Sequence, residues 1–337
     1  MTASKTQCKH GAAIYIGLGL AGVLVGPPAL ADDDLTSVTL TTSWYAQAEH
    51  GGYYAAKAMG IYEEHGLDVT IEMGGPDVNH QQLLAAGRTD FISDEAFTSF
   101  TAARQGVPIV TVAAYFQKDP QGLVVHEGQG YDTLADLQGV PIRVASGGRQ
   151  QYWPWLRAEF GFDDSQLRPY DYNYGPFIQD KETAQQGYIT NDGYHLQQED
   201  VDVEATSLLF ADYGWDNYAS TLDTTREMIS EDPEVVQAMV AATSEGWAAY
   251  FENPEPANEL IMEDNPEMAP DLIAYSIDKM QEHEILLSGD AAGGEYGNMS
   301  RERWESFFED MVEAGVLDED LDWQAAFDLQ FVQALYE

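Results

Sequence analysis

The chain of 337 residues carries 58 Asp and Glu against 15 Lys and Arg, a formal net charge of −43 at pH 7. A surface this negative repels phosphate backbones and anionic headgroups, so the composition excludes nucleic acid and anionic lipid as partners. Intrinsic disorder is also excluded, because 44% of the residues are hydrophobic and 12% are aromatic. At about 1 M salt the screening length falls to roughly 3 Å, so we interpret the charge as the adaptation of an exported protein to brine.

The first 31 residues have the pattern of a secretory signal peptide. Lys5 and Lys9 precede the uncharged apolar stretch 11–26, and Ala29-Leu30-Ala31 places small residues directly before Asp32. The stretch is short for a membrane span, so we predict cleavage after Ala31 and a periplasmic or extracellular location. An uncleaved N-terminal anchor is the alternative.

The mature chain has no residues for cysteine chemistry. The single cysteine, Cys8, lies in the segment that we expect to be removed, which leaves no disulfide, thiolate nucleophile or cysteine-based metal site. The histidines show no metal-ligand spacing, and the sequence contains no nucleophile elbow, phosphate loop or dinucleotide fingerprint. We therefore expect a protein without cofactor, metal or catalytic residues.

Strands and helices alternate in the first part of the mature chain. Alternating or β-branched runs predict strands at residues 37–42, 68–73, 90–93 and 108–114. Helical spacing predicts helices at residues 50–65, 78–86 and 96–105. The β-α-β-α-β order predicts a mostly parallel sheet covered by helices.

A second unit of the same kind begins near Gln121. Strands are predicted at residues 123–126, 140–145, 167–172 and 183–190, with helices at 133–137 and from Ser146 through Phe160. After Phe210 the chain is predicted to be helical, with a long helix from Pro233 to Asn253. The sequence therefore predicts an α/β protein of two unequal units with a helical C-terminal tail.

Candidate ligand contacts follow from the predicted strands. Ligands in open parallel sheets lie beyond the carboxyl ends of the strands, where this chain has many aromatic and amide side chains and few cations. With a histidine at the start of the first helix, the candidates are Trp44, Tyr45, His50, Gly75, Asn79, Glu95, Tyr115, Ser146, Arg149, Asn173, Tyr174, Thr190 and Asp192.

Each of the first candidates has a functional and a structural interpretation. Trp44 and Tyr45 would stack on a planar ligand, an interaction worth roughly 1–3 kcal/mol, or would pack within a lobe. His50 would hydrogen-bond a ring nitrogen or cap the helix that begins there. Asn79 and Gly75 would hold the ligand or shape a turn.

The later candidates divide by charge. Ser146-Gly147-Gly148 and Arg149 place backbone N–H groups and a guanidinium at a predicted helix start, which suits a sulfonate, phosphate or carboxylate. Glu95 and Asp192 would instead pair with the exocyclic amine of a pyrimidine, or lie on the acidic surface.

Several motifs resemble a known family. The run Glu49-His50-Gly51-Gly52-Tyr53-Tyr54-Ala55-Ala56 after Trp44-Tyr45, and the block 74–91, resemble the thiamine-pyrimidine-precursor (hydroxymethylpyrimidine or formylaminopyrimidine) family of ABC-transporter solute-binding proteins. The segments 185–192 and 212–214 resemble its later landmarks. The resemblance covers nearly all of the mature chain, and the broader family also takes in sulfonate, nitrate, taurine and flavin binders.

The resemblance implies the type II periplasmic-binding-protein fold, in which two α/β lobes are joined by two crossover strands. Lobe one would be discontinuous, residues 36–121 plus 208–337, and lobe two would be residues 122–207. The implied mechanism is hinge closure over a small pyrimidine precursor of thiamine, followed by docking on a membrane permease. We expect the protein to be a monomer.

Two alternatives stay open. A sulfonate, nitrate or flavin would use the same clamp, the sulfonate at Ser146 and Arg149. The family also includes a fungal pyrimidine synthase that supplies a histidine from its own chain, and His50 falls in the matching motif. Those enzymes carry a cysteine-rich motif and work inside the cell, so the predicted export and the cysteine-free mature chain argue against enzymatic activity.

Overall fold

The computed structural model describes residues 35–197 and 203–337. None of the helices in these two ranges combines the length and the hydropathy that a membrane crossing needs. The predicted signal peptide, residues 1–31, lies outside the described residues, so its cleavage stays a prediction.

Two five-stranded mixed sheets organise the fold. The strands are β1 (Thr36–Thr41), β2 (Leu67–Glu72), β3 (Phe91–Glu95), β4 (Ile109–Phe116), β5 (Gln121–His126), β6 (Ile142–Val144), β7 (Leu167–Pro169), β8 (Ala184–Tyr188), β9 (Ala205–Leu209) and β10 (Ala219–Thr225). The first sheet has the order β2-β1-β3-β10-β4 and the second has the order β7-β6-β8-β5-β9. We call the parts of the chain that build them lobe one and lobe two; the residue limits predicted for the lobes stay a prediction.

Helices surround both sheets and form the C-terminal region. They are α1 (Gly51–Ala58), α2 (Ile61–Glu64), α3 (His80–Ala85), α4 (Ala96–Gln105), α5 (Trp153–Phe160), α6 (Gly175–Gln179), α7 (Asp192–Leu196), α8 (Arg226–Glu231), α9 (Pro233–Glu252), α10 (Glu255–Asp264), α11 (Pro270–Glu282), α12 (Arg301–Glu313) and α13 (Gln330–Tyr336). The helices α8 to α13 confirm the predicted helical tail.

Glycines allow α1 to approach α9 closely. A Cβ added at Gly246 would lie 2.3 Å from the carbonyl oxygen of Gly52, and a Cβ added at Gly52 would lie 2.3 Å from the ring of Trp247. Neither helix position therefore accepts a side chain without displacing the other helix. This contact fixes the start of α1 and, with it, the residues directly before that helix.

The strand β10 corrects two predictions. It runs antiparallel to both β3 and β4, so the sheet is mixed rather than mostly parallel. The prediction that the chain becomes helical after Phe210 is wrong for residues 219–225. The strand was missed because Thr221, Asp223 and Thr224 are fully buried, so polar side chains stand where a strand pattern requires apolar ones.

The helix predicted from Ser146 begins later. Turns occupy residues 146–152, and α5 starts at Trp153 with Pro154 in its first turn. The two glycines at 147 and 148 disfavour a helix, whereas proline is well tolerated in the first helical turn. Ser146 therefore does not lie at the start of a regular helix.

Asp223 is a buried carboxylate in the middle of the first sheet. Neither of its carboxylate oxygens has a hydrogen-bond partner of normal geometry in the described part of the chain. On the adjacent strand, Asp94 lies 3.1 Å from His80 Nε2. Burial, followed by the charge of Asp94, raises the pKa of Asp223 to about 8. Asp223 is therefore neutral in the folded protein at pH 7.

We expect Asp223 to make the protein less stable as pH rises from about 4 to about 8. Over this window the unfolded chain has released a proton that the folded chain retains, so the free energy of unfolding falls with pH. Asp223→Asn should reduce the decline between about pH 5 and pH 8 by about 1–3 kcal/mol. Urea unfolding measures the effect, and Asp68→Asn at an exposed position of β2 is the control. An equal decline in wild type and Asp223→Asn would contradict the assignment.

Candidate functional site

Two carboxylates of lobe one accept hydrogen bonds from side chains of lobe two. Glu49, in the turn before α1, accepts through Oε1 from the hydroxyl of Thr190 and from Asn191 Nδ2, the latter at 2.8 Å. Glu95, at the end of β3, accepts through Oε1 from Gln151 Nε2. Both interactions connect loops that follow strands of different sheets. They bring together the regions at the carboxyl ends of β1 and β3 in one sheet and of β6 and β8 in the other.

Glu95 is also tied to the connections between the lobes. Its Oε2 accepts from Asn217 Nδ2 at 2.8 Å, and the same amide lies 3.2 Å from Asp119 Oδ2. Trp215 Nε1 donates to Asp119 Oδ2 at 3.1 Å. Asp119 lies between β4 and β5, whereas Trp215 and Asn217 lie between β9 and β10. A single hydrogen-bonded group therefore spans both passages of the chain between the sheets.

Burial disfavours the ionised form of these carboxylates. Burial, then the charges of Asp119 and Asp94, raise the pKa of Glu95 well above its ordinary value. Burial likewise raises the pKa of Asp119. Burial raises the pKa of Glu49, and the hydrogen bonds from Thr190 and Asn191 offset this only in part. Each group is stabilised by a proton or by further N–H donors.

Glu49 and His50 leave polar atoms without partners. Glu49 Oε2 and His50 Nδ1 are both buried and have no hydrogen-bond partner among residues 35–197 and 203–337. His50 occupies the N-cap position of α1, but its side chain makes no capping hydrogen bond. Burial lowers the pKa of His50 to about 4, so the ring is neutral at pH 7. Buried polar atoms in native proteins are rarely left unpaired, so this pair has unused capacity for a ligand.

Asp192 presents a similar unused atom on lobe two. Its Oδ1 accepts a 2.6 Å hydrogen bond from the hydroxyl of Tyr174, whereas its buried Oδ2 makes no hydrogen bond of normal geometry in the described ranges, although the backbone of Tyr188 lies close to the carboxylate. Burial raises the pKa of Asp192 to about 7. A Cβ added at Gly187 would lie 2.0 Å from Oδ2, so the carboxylate lies directly against the backbone of β8.

Four aromatic rings form a continuous row across the junction, which we call the aromatic row. Tyr45 and Trp44 of lobe one have ring centroids 5.5 Å apart, and Trp44 lies 4.9 Å from Tyr172 of lobe two. Tyr172 in turn lies 5.2 Å from Tyr170. Tyr45 and Tyr172 are 42% and 45% exposed, so the row borders solvent.

Tyr188 lies near carboxylates of both groups. It is the last residue of β8 and is partly exposed. Burial, then the charges of Asp119, Glu49 and Glu95, raise the pKa of its phenol. Carboxylates from both groups therefore lie near one side chain. We call the junction that the hydrogen bonds between the lobes and the aromatic row span the cleft.

Most of the predicted residues lie around this cleft. Gly75 lies under Tyr45, where a Cβ would approach the ring to 2.9 Å. The other predicted residues that belong to the carboxylate groups or to the aromatic row described above are Trp44, Tyr45, His50, Glu95, Tyr174, Thr190 and Asp192.

Tyr115 lies elsewhere and is not a ligand contact in this arrangement. It is fully buried, its hydroxyl lies 3.4 Å from the carbonyl oxygen of Val240, and its ring packs on Tyr53 and Trp247. The prediction placed the end of the strand at Ala114, but β4 continues to Phe116. Tyr115 is therefore an internal strand residue facing α9 rather than a residue beyond the strand.

Of the four remaining candidates, Asn79, Asn173 and Arg149 hydrogen-bond the nearby backbone, whereas Ser146 does not share this role. Asn79 caps α3 by accepting from the backbone N–H of Gln82 at 3.0 Å, and Asn173 accepts from Gly175 N at 2.8 Å. Ser146 is exposed in a turn.

Arg149 donates to two backbone carbonyls. Its Nε donates to the carbonyl of Val144 at 3.1 Å, and its Nη2 donates to that of Arg168 at 3.3 Å. The guanidinium thus links the ends of β6 and β7.

Sequence reasoning missed Glu49, Asp119, Gln151, Tyr172 and Asn217. Glu49 stands beside His50 in the motif already singled out, and its acidic character was the available signal. The other four lie in connections, where no periodic pattern identifies a functional side chain. Their grouping depends on tertiary contacts.

The described residues contain no cluster of side chains that could hold a metal ion, and two surface pockets lie away from the cleft. Within them, no group of three or more His, Cys, Asp or Glu is arranged to hold a metal ion. Two surface pockets of about 250 and 360 Å³ lie elsewhere, one against α10 and α11 and the other between α5 and the end of α12. In the cleft itself the polar side chains bond to one another across the junction.

We expect Glu49→Ala to loosen the contact between the lobes. The substitution leaves Thr190 and Asn191 without their acceptor, which costs about 1–3 kcal/mol of stability. The ligand-free variant should have a larger radius of gyration by small-angle X-ray scattering and a lower Tm than wild type. Glu64→Ala, at an exposed position of α2, is the matched control. A Glu49→Ala variant with the scattering curve and Tm of the control would show that the bonds do not hold the lobes together.

Comparison with known proteins places this arrangement in a family. The model of the NMT1/THI5-like family matches residues 47–257. The riboflavin-binding protein RibY of Chloroflexus aurantiacus is 24% identical over 320 residues, 93% of this chain and 90% of that protein. The formylaminopyrimidine-binding protein of Halalkalibacterium halodurans is 25% identical over 282 residues, 81% and 84% of the two chains. The 4-amino-5-hydroxymethyl-2-methylpyrimidine phosphate synthase of Legionella pneumophila is 22% identical over 237 residues, 68% and 74% of the two chains.

Solved structures confirm the predicted fold class. The periplasmic aliphatic sulphonate binding protein SsuA from Escherichia coli superposes with a TM-score of 0.60 at 14% identity, covering 86% of this chain and 91% of that chain. The Candida albicans CA3427 gene product, described as having the generic periplasmic binding protein structural fold, superposes with a TM-score of 0.61 at 15% identity, covering 87% and 96%. The chain has the periplasmic-binding-protein fold and belongs to the NMT1/THI5-like family.

Proposed function

We propose that the protein is the extracytoplasmic solute-binding component of an ABC-type importer. Lobe one, residues 36–121 plus 208–337, and lobe two, residues 122–207, close over a small solute, and the closed form docks as a monomer on a membrane permease. The observation that carries the proposal is the pair of carboxylates, Glu49 and Glu95, that accept hydrogen bonds from the opposite lobe. Such bonds form only when the lobes meet. A solute that contacts both lobes would shift the equilibrium between the open and the closed form towards the closed one. Two of the relatives bear the names of binding proteins.

The chemistry of the cleft favours a flat nitrogen heterocycle with N–H donors. Glu49 Oε2 and Asp192 Oδ2 are buried acceptors, one on each lobe, that make no hydrogen bond of normal geometry in the described ranges. An amino-substituted pyrimidine supplies N–H donors to such acceptors and a flat face to the aromatic row. A pyrimidine precursor of thiamine is therefore the proposed ligand. The relative named as a formylaminopyrimidine-binding protein supports it.

Riboflavin is the second candidate. The relative named as a riboflavin-binding protein aligns with 93% of this chain, more than the pyrimidine-binding relative does. The flavin ring is flat and carries both donors and acceptors. It therefore suits the aromatic row for the same reason as the pyrimidine, but it requires a wider opening of the lobes.

The cleft favours a sulfonate or nitrate less. The cleft presents the carboxyl groups of Glu49, Glu95, Asp119 and Asp192, and each of them that is ionised opposes an anion. Arg149, the cation that we nominated for an anion, donates to backbone carbonyls. The sulfonate-binding neighbour shares the fold at 14% identity, which does not extend to the ligand.

We propose binding rather than catalysis. The enzymatic alternative requires the cysteine-rich motif that the resemblance associates with the synthases, and no cysteine follows Cys8 in this chain. His50, the histidine in the matching motif, is buried and neutral beside Glu49. These features support a hydrogen-bonding role for His50. A synthase among the relatives keeps the enzymatic alternative as an outcome to be tested.

A thermal-shift panel on the mature protein in about 2 M salt tests the ligand. The panel contains pyrimidine precursors, thiamine, riboflavin, taurine, alkanesulfonates and nitrate. At 100 times its Kd a ligand adds about 2.7 kcal/mol, a shift of a few degrees. We expect a shift with pyrimidines that survives Arg149→Ala and is lost in Trp44→Ala. A shift with sulfonates or nitrate alone, lost in Arg149→Ala, would reject the pyrimidine as the ligand. It would leave the closure of two lobes over a solute in place.

A further inference from the structure

Tyr172 has an unusual backbone conformation at the cleft. Its φ is 62°, in the left-handed region that bulky residues rarely occupy. Residues held in this region cost about 1–3 kcal/mol and persist where surrounding contacts impose them, often at ligand sites. The ring of Tyr172 lies against Trp44 of the opposite lobe and Tyr170 of its own. The strained backbone therefore presents an aromatic ring to the other lobe.

This ring remains accessible to solvent. The described residues include five large apolar side chains that are exposed, and two of them, Tyr45 and Tyr172, belong to the aromatic row. Ordinary packing would bury such a ring, and exposed aromatic groups that border a cleft are typical of binding sites. Tyr170 supports Tyr172 from behind, since its hydroxyl accepts a hydrogen bond from Gln185 Nε2 at 3.3 Å. The row is thus supported at its lobe-two end, and Tyr172 meets Trp44 of the other lobe at its solvent-exposed edge.

We propose that Tyr172 is the lobe-two half of a stacking subsite for a flat ring, with Trp44 as the lobe-one half. The inference rests on the proposed function and adds a specificity-determining residue to it. The centroids of Trp44 and Tyr172 are 4.9 Å apart with planes inclined at 52°. Two rings that enclose a third at van der Waals distance are about 7 Å apart. A hinge opening of about 2 Å at the row therefore admits one flat ring.

The subsite selects for shape. A pyrimidine or flavin ring would contact both aromatic faces only when the lobes close on it to the separation of about 7 Å, so its binding energy would favour that form over a more open one. A tetrahedral sulfonate would gain little from either face. Tyr172 therefore contributes to discrimination between flat heterocycles and the other nutrients that this fold carries.

Isothermal titration with three probes tests the subsite. The probes are 4-amino-5-hydroxymethyl-2-methylpyrimidine, riboflavin and taurine, each titrated into the mature protein. We expect Tyr172→Leu to weaken binding of the flat probe by about tenfold or more, and Tyr172→Phe to stay within about threefold of wild type. Tyr336→Leu, at another exposed tyrosine on α13, should leave affinity unchanged.

A further variant separates binding from folding. Tyr172→Gly relieves the left-handed backbone because glycine adopts this conformation readily. We expect its Tm to equal or exceed that of wild type, while its affinity for the flat probe falls as in Tyr172→Leu. A loss of affinity with the fold intact supports a direct contact with ligand.

The outcomes distinguish the subsite from the proposed function. If Tyr172→Leu binds the flat probe as tightly as wild type, while Trp44→Ala abolishes binding, the subsite is wrong and the binding function stands. If taurine alone binds, both the subsite and the pyrimidine assignment are overturned. If no probe binds wild type, the proposed flat ligands are overturned together with the subsite.

Discussion

The cleft depends on a buried carboxylate, that of Glu49, which both lobes contact. Glu49 belongs to the turn that α1 and α9 hold in place, yet its hydrogen-bond donors, Thr190 and Asn191, come from the opposite sheet. A carboxylate in such a position is costly unless donors surround it, because burial disfavours its charge. The contact between the two lobes provides hydrogen-bond donors for one carboxylate oxygen of Glu49, Oε1. The remaining oxygen, Oε2, is the part that a ligand bearing N–H groups would satisfy.

The other carboxylates of the cleft are buried like Glu49, whereas the carboxylates of the surface are solvated. The chain carries a net charge of −43, and a solvated surface in concentrated salt tolerates it through screening. The cleft carboxylates are different because burial raises the pKa values of Glu95, Asp119 and Asp192, so that each requires a proton or a donor. Selection for nitrogen-bearing ligands would therefore follow from the cost of leaving Glu49 Oε2 and Asp192 Oδ2 unpaired, and the aromatic row would add selection for shape.

Sequence reasoning succeeded where a local pattern carries the information. Alternation of strand and helix predicted the two α/β units. The rule that ligands lie beyond strand ends nominated Trp44, Glu95 and Asp192, whose role as ligand contacts stays a prediction. Sequence reasoning failed at β10, whose buried threonines and Asp223 obscure the strand pattern. It also failed at Tyr115, because β4 runs two residues further than predicted. Asp119 and Asn217 meet only through the folding of two distant connections, which no local pattern records. Tyr172 is identified as a candidate by its backbone angle and by its contact with Trp44. Both are properties of the folded chain.

A crystal structure of the mature protein with the pyrimidine that gives the largest thermal shift tests the proposed binding mode most directly. We expect density for the ring between the lobes, in contact with the aromatic row, with an N–H group within hydrogen-bond distance of Glu49 or Asp192. Density at Arg149 and Ser146, or a ligand held by one lobe alone with Glu49 still bonded only to Thr190 and Asn191, would contradict this binding mode.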